Sequence, residues 1–156
     1  CIVALAQVQP KALQVVLLSL VFAIPVLGDT MAFFVGSRVR GPKLCPAVSP
    51  NKTISGAVAG LVGSLVAAAA VGVVSLIFCD QATLAQLPTW WQYALLGLVG
   101  GVAGQMGDLF ASLVKRHCGI KDFSNLFPGH GGMLDRLDSI LFMAVVMICY
   151  RLLQGI

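Results

Sequence analysis

The sequence contains no glutamate: all six acidic residues are aspartates, Asp29, Asp80, Asp108, Asp122, Asp135 and Asp138. Glutamate is favoured on solvated helix surfaces, so its absence excludes much surface of that kind and reserves the remaining acids for specific tasks. Charge of either sign is scarce. Only 10% of the 156 residues are charged, against roughly 25% in ordinary soluble domains, which excludes that class. No CxxC pair occurs among Cys1, Cys45, Cys79, Cys118 and Cys149, so neither a disulfide framework nor a zinc site is supported. No interleaved basic and aromatic surface appears, which excludes nucleic acid as a partner and assigns the net charge of +4 to topology and lipid headgroups.

What is present is oil. The chain is 58% hydrophobic, with a mean hydropathy of +0.94, the composition of a membrane protein. It starts at Cys1, and no basic region or cleavage signal precedes the first apolar stretch, so that stretch is not a signal peptide. Either the numbering begins inside a longer protein or something has been removed.

Four apolar segments are candidate spans: about 12–35, which contains Pro25 and Asp29; 54–79, without one charge; about 91–114, with Gln105 and Asp108; and 139–153, interrupted by Arg151. The expected fold is all-α, a polytopic membrane helical bundle of about four transmembrane helices forming one membrane-embedded catalytic domain over residues 1–156. Small residues spaced by four, Gly56, Gly60 and Ser64 in the second span and Gly97 and Gly101 in the third, let helix backbones approach closely. Packing within the chain is their first reading and a homodimer the lesser one.

Basic residues orient the bundle. Arg38, Arg40, Lys43 and Lys52 follow the first span; Lys115, Arg116, Lys121 and Arg136 follow the third. The loop between spans two and three has none. With four spans the two basic loops share one side, cytoplasmic by the positive-inside tendency, and Trp90 and Trp91 fit the aromatic belt at the other.

Several acids sit where lipid should be. Asp108 precedes Lys115 by about 10 Å of helix, and Asp29 has a similar position before Arg38. A charged aspartate at a helix centre costs about 2.5–3.5 kcal/mol on insertion scales, so each needs a polar cavity or a partner; a structural ion pair is the alternative. Asp135 and Asp138, in LDRLDS, share one helical face and can return to the same cytoplasmic mouth as Asp108. Carboxylates so gathered repel unless a cation lies among them, and oxygen-only ligation favours a hard ion such as Mg²⁺. Taken alone, LDRLD also reads as an amphipathic helix start with acids near the positive dipole end.

Directly before it stands PGHGG. Its glycines, Gly129, Gly131 and Gly132, expose backbone amides suited to phosphate; His130 either donates to a phosphate or caps the turn. The other basic loop offers SPNKT, where Ser49, Lys52 and Thr53 suit phosphate, although alone the segment is only a helix start. Basic neighbours, acids and a glycine-rich turn together describe a site for phosphates and metal at a membrane surface.

The stretch SLVKRHCGIKDFSNLFPGHGGMLDRLD, Ser112 to Asp138, resembles the signature of the phosphatidate cytidylyltransferases, also called CDP-diacylglycerol synthases. The agreement covers Ser112, Lys115-Arg116, Lys121-Asp122, the run from Pro128 to Gly132, and Asp135-Arg136 with Asp138. A second stretch, DTMAFFVGSRVRGPKLCPAVSPNKTISG, Asp29 to Gly56, is similar to the family in its Asp-Thr, Lys-Leu and Ser-Pro-x-Lys-Thr elements. It departs at Ile54-Ser55-Gly56, where members often carry Trp-Glu-Gly, and at Met31. Members are commonly longer, with more apolar spans before this region.

The resemblance implies CMP transfer from CTP to phosphatidic acid with Mg²⁺, giving CDP-diacylglycerol and pyrophosphate; the expected location is the cytoplasmic membrane of a bacterium, with the site facing the cytosol. It points to Asp108 and Asp135 for metal, with Asp138 and Asp122 as further candidates and a second cation as an option. Lys121, Arg116, Arg136 and Lys52 would screen the phosphates, and Ser112 joins them by its place in the signature. Two other classes stand beside this. A related CTP-using lipid enzyme is one: a polyprenol or phytol kinase would release CDP rather than pyrophosphate, and an ether-lipid cytidylyltransferase would differ in its lipid. A non-enzymatic ion-binding membrane protein is the other, and it leaves PGHGG without a reason.

Overall fold

A computed structural model of the protein describes residues 2–5, 11–39, 41–46, 48–79, 81–120 and 134–154. In chain order these form α1 (Ile2–Leu5), α2 (Lys11–Arg38), β1 (Lys43–Cys45), β2 (Ser49–Thr53), α3 (Ile54–Phe78), α4 (Gln81–Leu84), α5 (Trp90–His117) and α6 (Leu134–Gln154). Among the described residues four helices, α2, α3, α5 and α6, are long and apolar enough to cross a membrane. The expected all-helical membrane bundle is therefore observed. Even α6, with 21 residues, reaches about 31 Å at 1.5 Å per residue, enough for the hydrocarbon core.

The four helices alternate in direction, as end-to-end contacts show. At one end, Gln105 late in α5 donates to the Ala57 carbonyl at the start of α3 (2.9 Å), and Gly56 of α3 meets Ala32 and Gly36 of α2. At the other, Ser75 late in α3 is 3.4 Å from the Tyr93 hydroxyl early in α5. There Tyr150, late in α6, donates to Gln92 (3.3 Å). Arg38, Lys43, Lys52, Lys115 and Arg116 thus gather at the first end, and Trp90, Trp91 and Arg151 at the second.

Glycine decides how closely α2, α3 and α5 approach. A β-carbon on Gly56 would stand 2.9 Å from the Ala32 carbonyl oxygen and 3.2 Å from Gly36 Cα. One on Gly101 would stand 2.7 Å from Ser64 Oγ. The small-residue spacing accordingly serves packing within the chain. Outside these seams the helices present valine, isoleucine and phenylalanine, for example Val58, Val62 and Val66 along α3. Only 33–39% of the residues in the most apolar stretch of each span are buried, so the remainder requires an apolar surround.

The buried apolar core occupies the half of the bundle away from the basic end. It is built from Leu13, Leu17, Leu20 and Ile24 of α2, Ala67 and Ala68 of α3, Tyr93 and Leu96 of α5, and Met143, Ala144 and Met147 of α6. Tight apolar packing there leaves the basic half free to hold polar groups.

Two boundaries differ from the sequence reading. The helix of the fourth span extends back to Leu134, so that Asp135 and Asp138 belong to its opening turns, and the candidate span itself runs Leu137–Gln154 rather than from Ser139. SPNKT is not a helix start throughout: Ser49–Thr53 is a strand, antiparallel to β1 with Lys43 opposite Thr53 and Cys45 opposite Ser49. The helix begins only at Ile54, where Thr53 acts as N-cap and its hydroxyl accepts from the Gly56 amide at 3.1 Å.

Candidate functional site

The glycines of α5 place its polar residues. Gly97, Gly100, Gly101, Gly104 and Gly107 are buried along one side of the helix, which brings α3 and α6 close. Gln105 and Asp108, spaced i, i+3, share a helical face and line the same cavity. The Gln105 bond to Ala57 ties this part of α5 to the first turn of α3. That leaves Asp108 beside β2, where Lys52 Nζ lies 2.5 Å from Asp108 Oδ2.

Asp138 enters from the start of α6. It is only 8% exposed, and its Oδ1 accepts from its neighbour's amide, Ser139 N, at 2.6 Å and from Ser139 Oγ at 3.3 Å. Asp29 enters from α2. It lies within hydrogen-bond reach of the Ser139 side chain and within electrostatic range of Asp108, Asp138 and Lys52. Ser139 thus stands between two carboxylates from different helices.

These groups surround one cavity of about 550 Å³, in the size range of small-molecule sites. Its charged lining is Asp29, Asp108 and Asp138 against Lys52, an excess of two negative charges when all are ionised. Thr53, Gly56 and Ala57 contribute the start of α3, and Gln105 adds an amide. Ala32, Phe33, Gly36 and Leu44, with Ser37 the one polar side chain among them, give the remaining described wall a mostly apolar character, and Phe33 is 72% exposed, placing an aromatic ring where cavity and lipid-facing surface meet. The cavity is therefore polar at depth and apolar at one side.

Of the residues proposed from sequence, Asp108, Asp138, Lys52 and Thr53 come together here. Ser49 is at the far end of β2, opposite Cys45, while Ser112 and the exposed Arg116 lie further along α5; none of the three is among the lining residues. Lys121, Asp122, Gly129, His130, Gly131 and Gly132 lie outside the described residues, as do the side chains of Asp135 and Arg136. Sequence reasoning placed Asp29 inside a span but not in the site. Its signal was there: an aspartate at the depth of Asp108, followed by a threonine. Ser139 and Phe33 carried no comparable signal.

Among the described residues no three histidine, cysteine, aspartate or glutamate side chains are close enough to hold a metal ion together. That does not require a different ion from the one expected. Mg²⁺ is commonly bound through one or two carboxylates together with waters and substrate phosphates rather than by an all-protein cage. The donors here are all oxygen, and the Lys52 ammonium stands against Asp108 where a cation is called for. The residues fit a hard divalent ion shared with a substrate.

The profile of the Cytidylyltransferase family matches residues 1–153. Among curated proteins, the chain is 46% identical over 116 residues to the phosphatidate cytidylyltransferase of Bacillus subtilis (strain 168), covering 74% of this chain and 39% of that protein. It is 42% identical over 129 residues to the phosphatidate cytidylyltransferase of Brucella abortus biovar 1 (strain 9-941), covering 83% and 44%. It is 43% identical over 124 residues to that of Staphylococcus aureus (strain COL), covering 78% and 44%. The chain spans about two fifths of the length of these relatives. With the profile matched over nearly its whole length and the intramembrane acids gathered at one cavity, the chain belongs to the cytidylyltransferase family.

Proposed function

We propose that this chain carries the catalytic unit of a phosphatidate cytidylyltransferase, which moves CMP from CTP to phosphatidic acid. In the transfer a phosphate oxygen of the lipid bonds to the α-phosphorus of CTP. The bond from that phosphorus to the α,β-bridging oxygen breaks, and pyrophosphate leaves. The single observation that carries the reading is the convergence of Asp29, Asp108, Asp138 and Lys52, from three spans and one strand, on one cavity at the basic end of the bundle. The names of the relatives support the choice of substrates.

The reaction suits the site's residues. Phosphatidate is an anionic oxygen nucleophile already, since a phosphate monoester has its second pKa near roughly 6, so no strong general base is needed. Two demands remain: alignment of lipid phosphate and leaving group, and neutralisation of negative charge. Lys52 answers part of the second. Asp108 and Asp138, with Asp135 beside them in sequence and Asp29 across the cavity, would hold Mg²⁺, which when bound supplies charge neutralisation across the phosphates. Arg116, Lys121 and Arg136 would add positive charge at the mouth, and the PGHGG amides a phosphate cradle. CTP would enter from the cytosol at the basic end, and the lipid from the side of Phe33 and Leu44. The membrane in this reading is the bacterial inner membrane.

The test is to give the purified chain, in detergent, phosphatidate, Mg²⁺ and CTP labelled at either the α- or the γ-phosphate. Label from the α-position is expected in the lipid, and label from the γ-position in pyrophosphate. Transfer of the γ-label to lipid with release of CDP would identify a lipid kinase instead.

A further inference from the structure

The ion pair between Lys52 and Asp108 raises a question that the reaction alone does not answer. Both partners are needed elsewhere in the proposed chemistry, the amine for phosphate and the carboxylate for metal, yet they are paired with each other. We propose that Lys52 is an exchangeable counter-ion for Asp108: a divalent cation displaces the ammonium, and the freed amine turns to the nucleotide's phosphates. This rests on the reading given under Proposed function.

Four features carry the exchange. Among the described residues that line the cavity, Lys52 is the one basic residue, set against Asp29, Asp108 and Asp138. The pair is accessible rather than sealed, with side-chain exposures of 25% for Lys52 and 37% for Asp108. It can therefore open without the desolvation penalty of separating two fully buried charges. A lysine ammonium is a compact charge on a flexible four-carbon stem, so it can move several ångströms with no change of backbone. Finally, Lys52 sits one residue before Thr53, the N-cap of α3. The positive end of that 25-residue helix favours a phosphate at the same place to which the amine would swing.

The consequence is coupling between ligands. A cation bound at Asp108 leaves Lys52 available for phosphate; a phosphate that engages Lys52 leaves Asp108 available for the cation. By linkage each raises the affinity of the other by the same factor. The site would hold little metal until nucleotide arrives, although its acids are permanently present.

The test uses Mn²⁺ as the probe, with its binding to the purified chain in detergent followed by electron paramagnetic resonance in the absence of nucleotide. Lys52→Met removes the competing cation, so Mn²⁺ is expected to bind about tenfold tighter than to the wild type, within the range usual for coupled sites. A non-transferable CTP analogue in chelator is expected to bind more weakly, by a similar factor. Lys52→Gln provides a second uncharged variant should the first not fold. Unchanged or weaker Mn²⁺ binding in the folded variants overturns the exchange. If the wild type meanwhile forms CDP-diacylglycerol, only the exchange is lost; if it transfers no label from CTP to lipid, the functional reading fails and the exchange with it.

Discussion

Ser139 joins two acids that are remote in sequence. Its hydroxyl lies 3.3 Å from Asp138 Oδ1 and its side chain also reaches Asp29, so α2 and α6 meet through carboxylates and one serine. A cluster of that kind, in a protein with only six acids in total, costs stability in the absence of a cation.

Asp108→Asn keeps the shape of the side chain and removes the charge that faces Lys52. CDP-diacylglycerol formation is expected to fall by about 10²–10³-fold, the scale on which losing one preorganised electrostatic contact acts. Elution as a single folded species in detergent should be unchanged. Near-wild-type turnover would remove Asp108 from the site.

Asp29→Asn tests the residue that only the structure brings to the cavity. Removing one of three like charges relieves repulsion, so the thermal midpoint without ligands is expected to rise while turnover drops at least about tenfold, as for the loss of an electrostatic contact in the transition state. A lowered midpoint with full activity would reduce Asp29 to a structural group.

Much of this was legible in the sequence. The uncharged run of α3 and the apolar stretches of α2 and α5 mark the spans directly, because no soluble helix tolerates such composition. Asp108, Asp138 and Lys52 stood out as polar groups beside or within apolar runs. The hairpin did not, since Lys43–Cys45 and Ser49–Thr53 are too short for an alternating pattern and Pro46 and Pro50 punctuate them. Nor did the place of Asp29. Which face of α2 meets α3 is tied to close contacts at Gly28, Gly36 and Gly56, and a linear pattern of small residues does not say which partner each one meets.

Gly56→Val tests that packing. The added β-carbon would fall 2.9 Å from a backbone carbonyl and 3.2 Å from a backbone Cα, neither of which can swing away. Overpacking of this sort typically costs about 1–3 kcal/mol, and the expected result is a lower unfolding midpoint together with impaired activity, because Gly56 also lines the cavity. A midpoint equal to the wild type would contradict the close α2–α3 seam.

Gln105→Leu removes the donor to the Ala57 carbonyl while keeping an apolar side chain of comparable size. A loss of about 1 kcal/mol in stability is expected for one such bond. Turnover should fall less than in Asp108→Asn, since Gln105 positions α5 rather than supplying charge. Thermal unfolding and labelled-CTP turnover, measured on the same preparation, check both parts.

The most direct test of the central claim is anomalous X-ray diffraction from crystals of the protein grown with Mn²⁺ and a non-transferable CTP analogue. The account predicts a manganese peak in the cavity that Asp29, Asp108 and Asp138 line, at coordination distance from the Asp108 carboxylate and beside the nucleotide's phosphates. A peak elsewhere, or Asp108 still paired with Lys52 while the metal and nucleotide occupy another site, would contradict it.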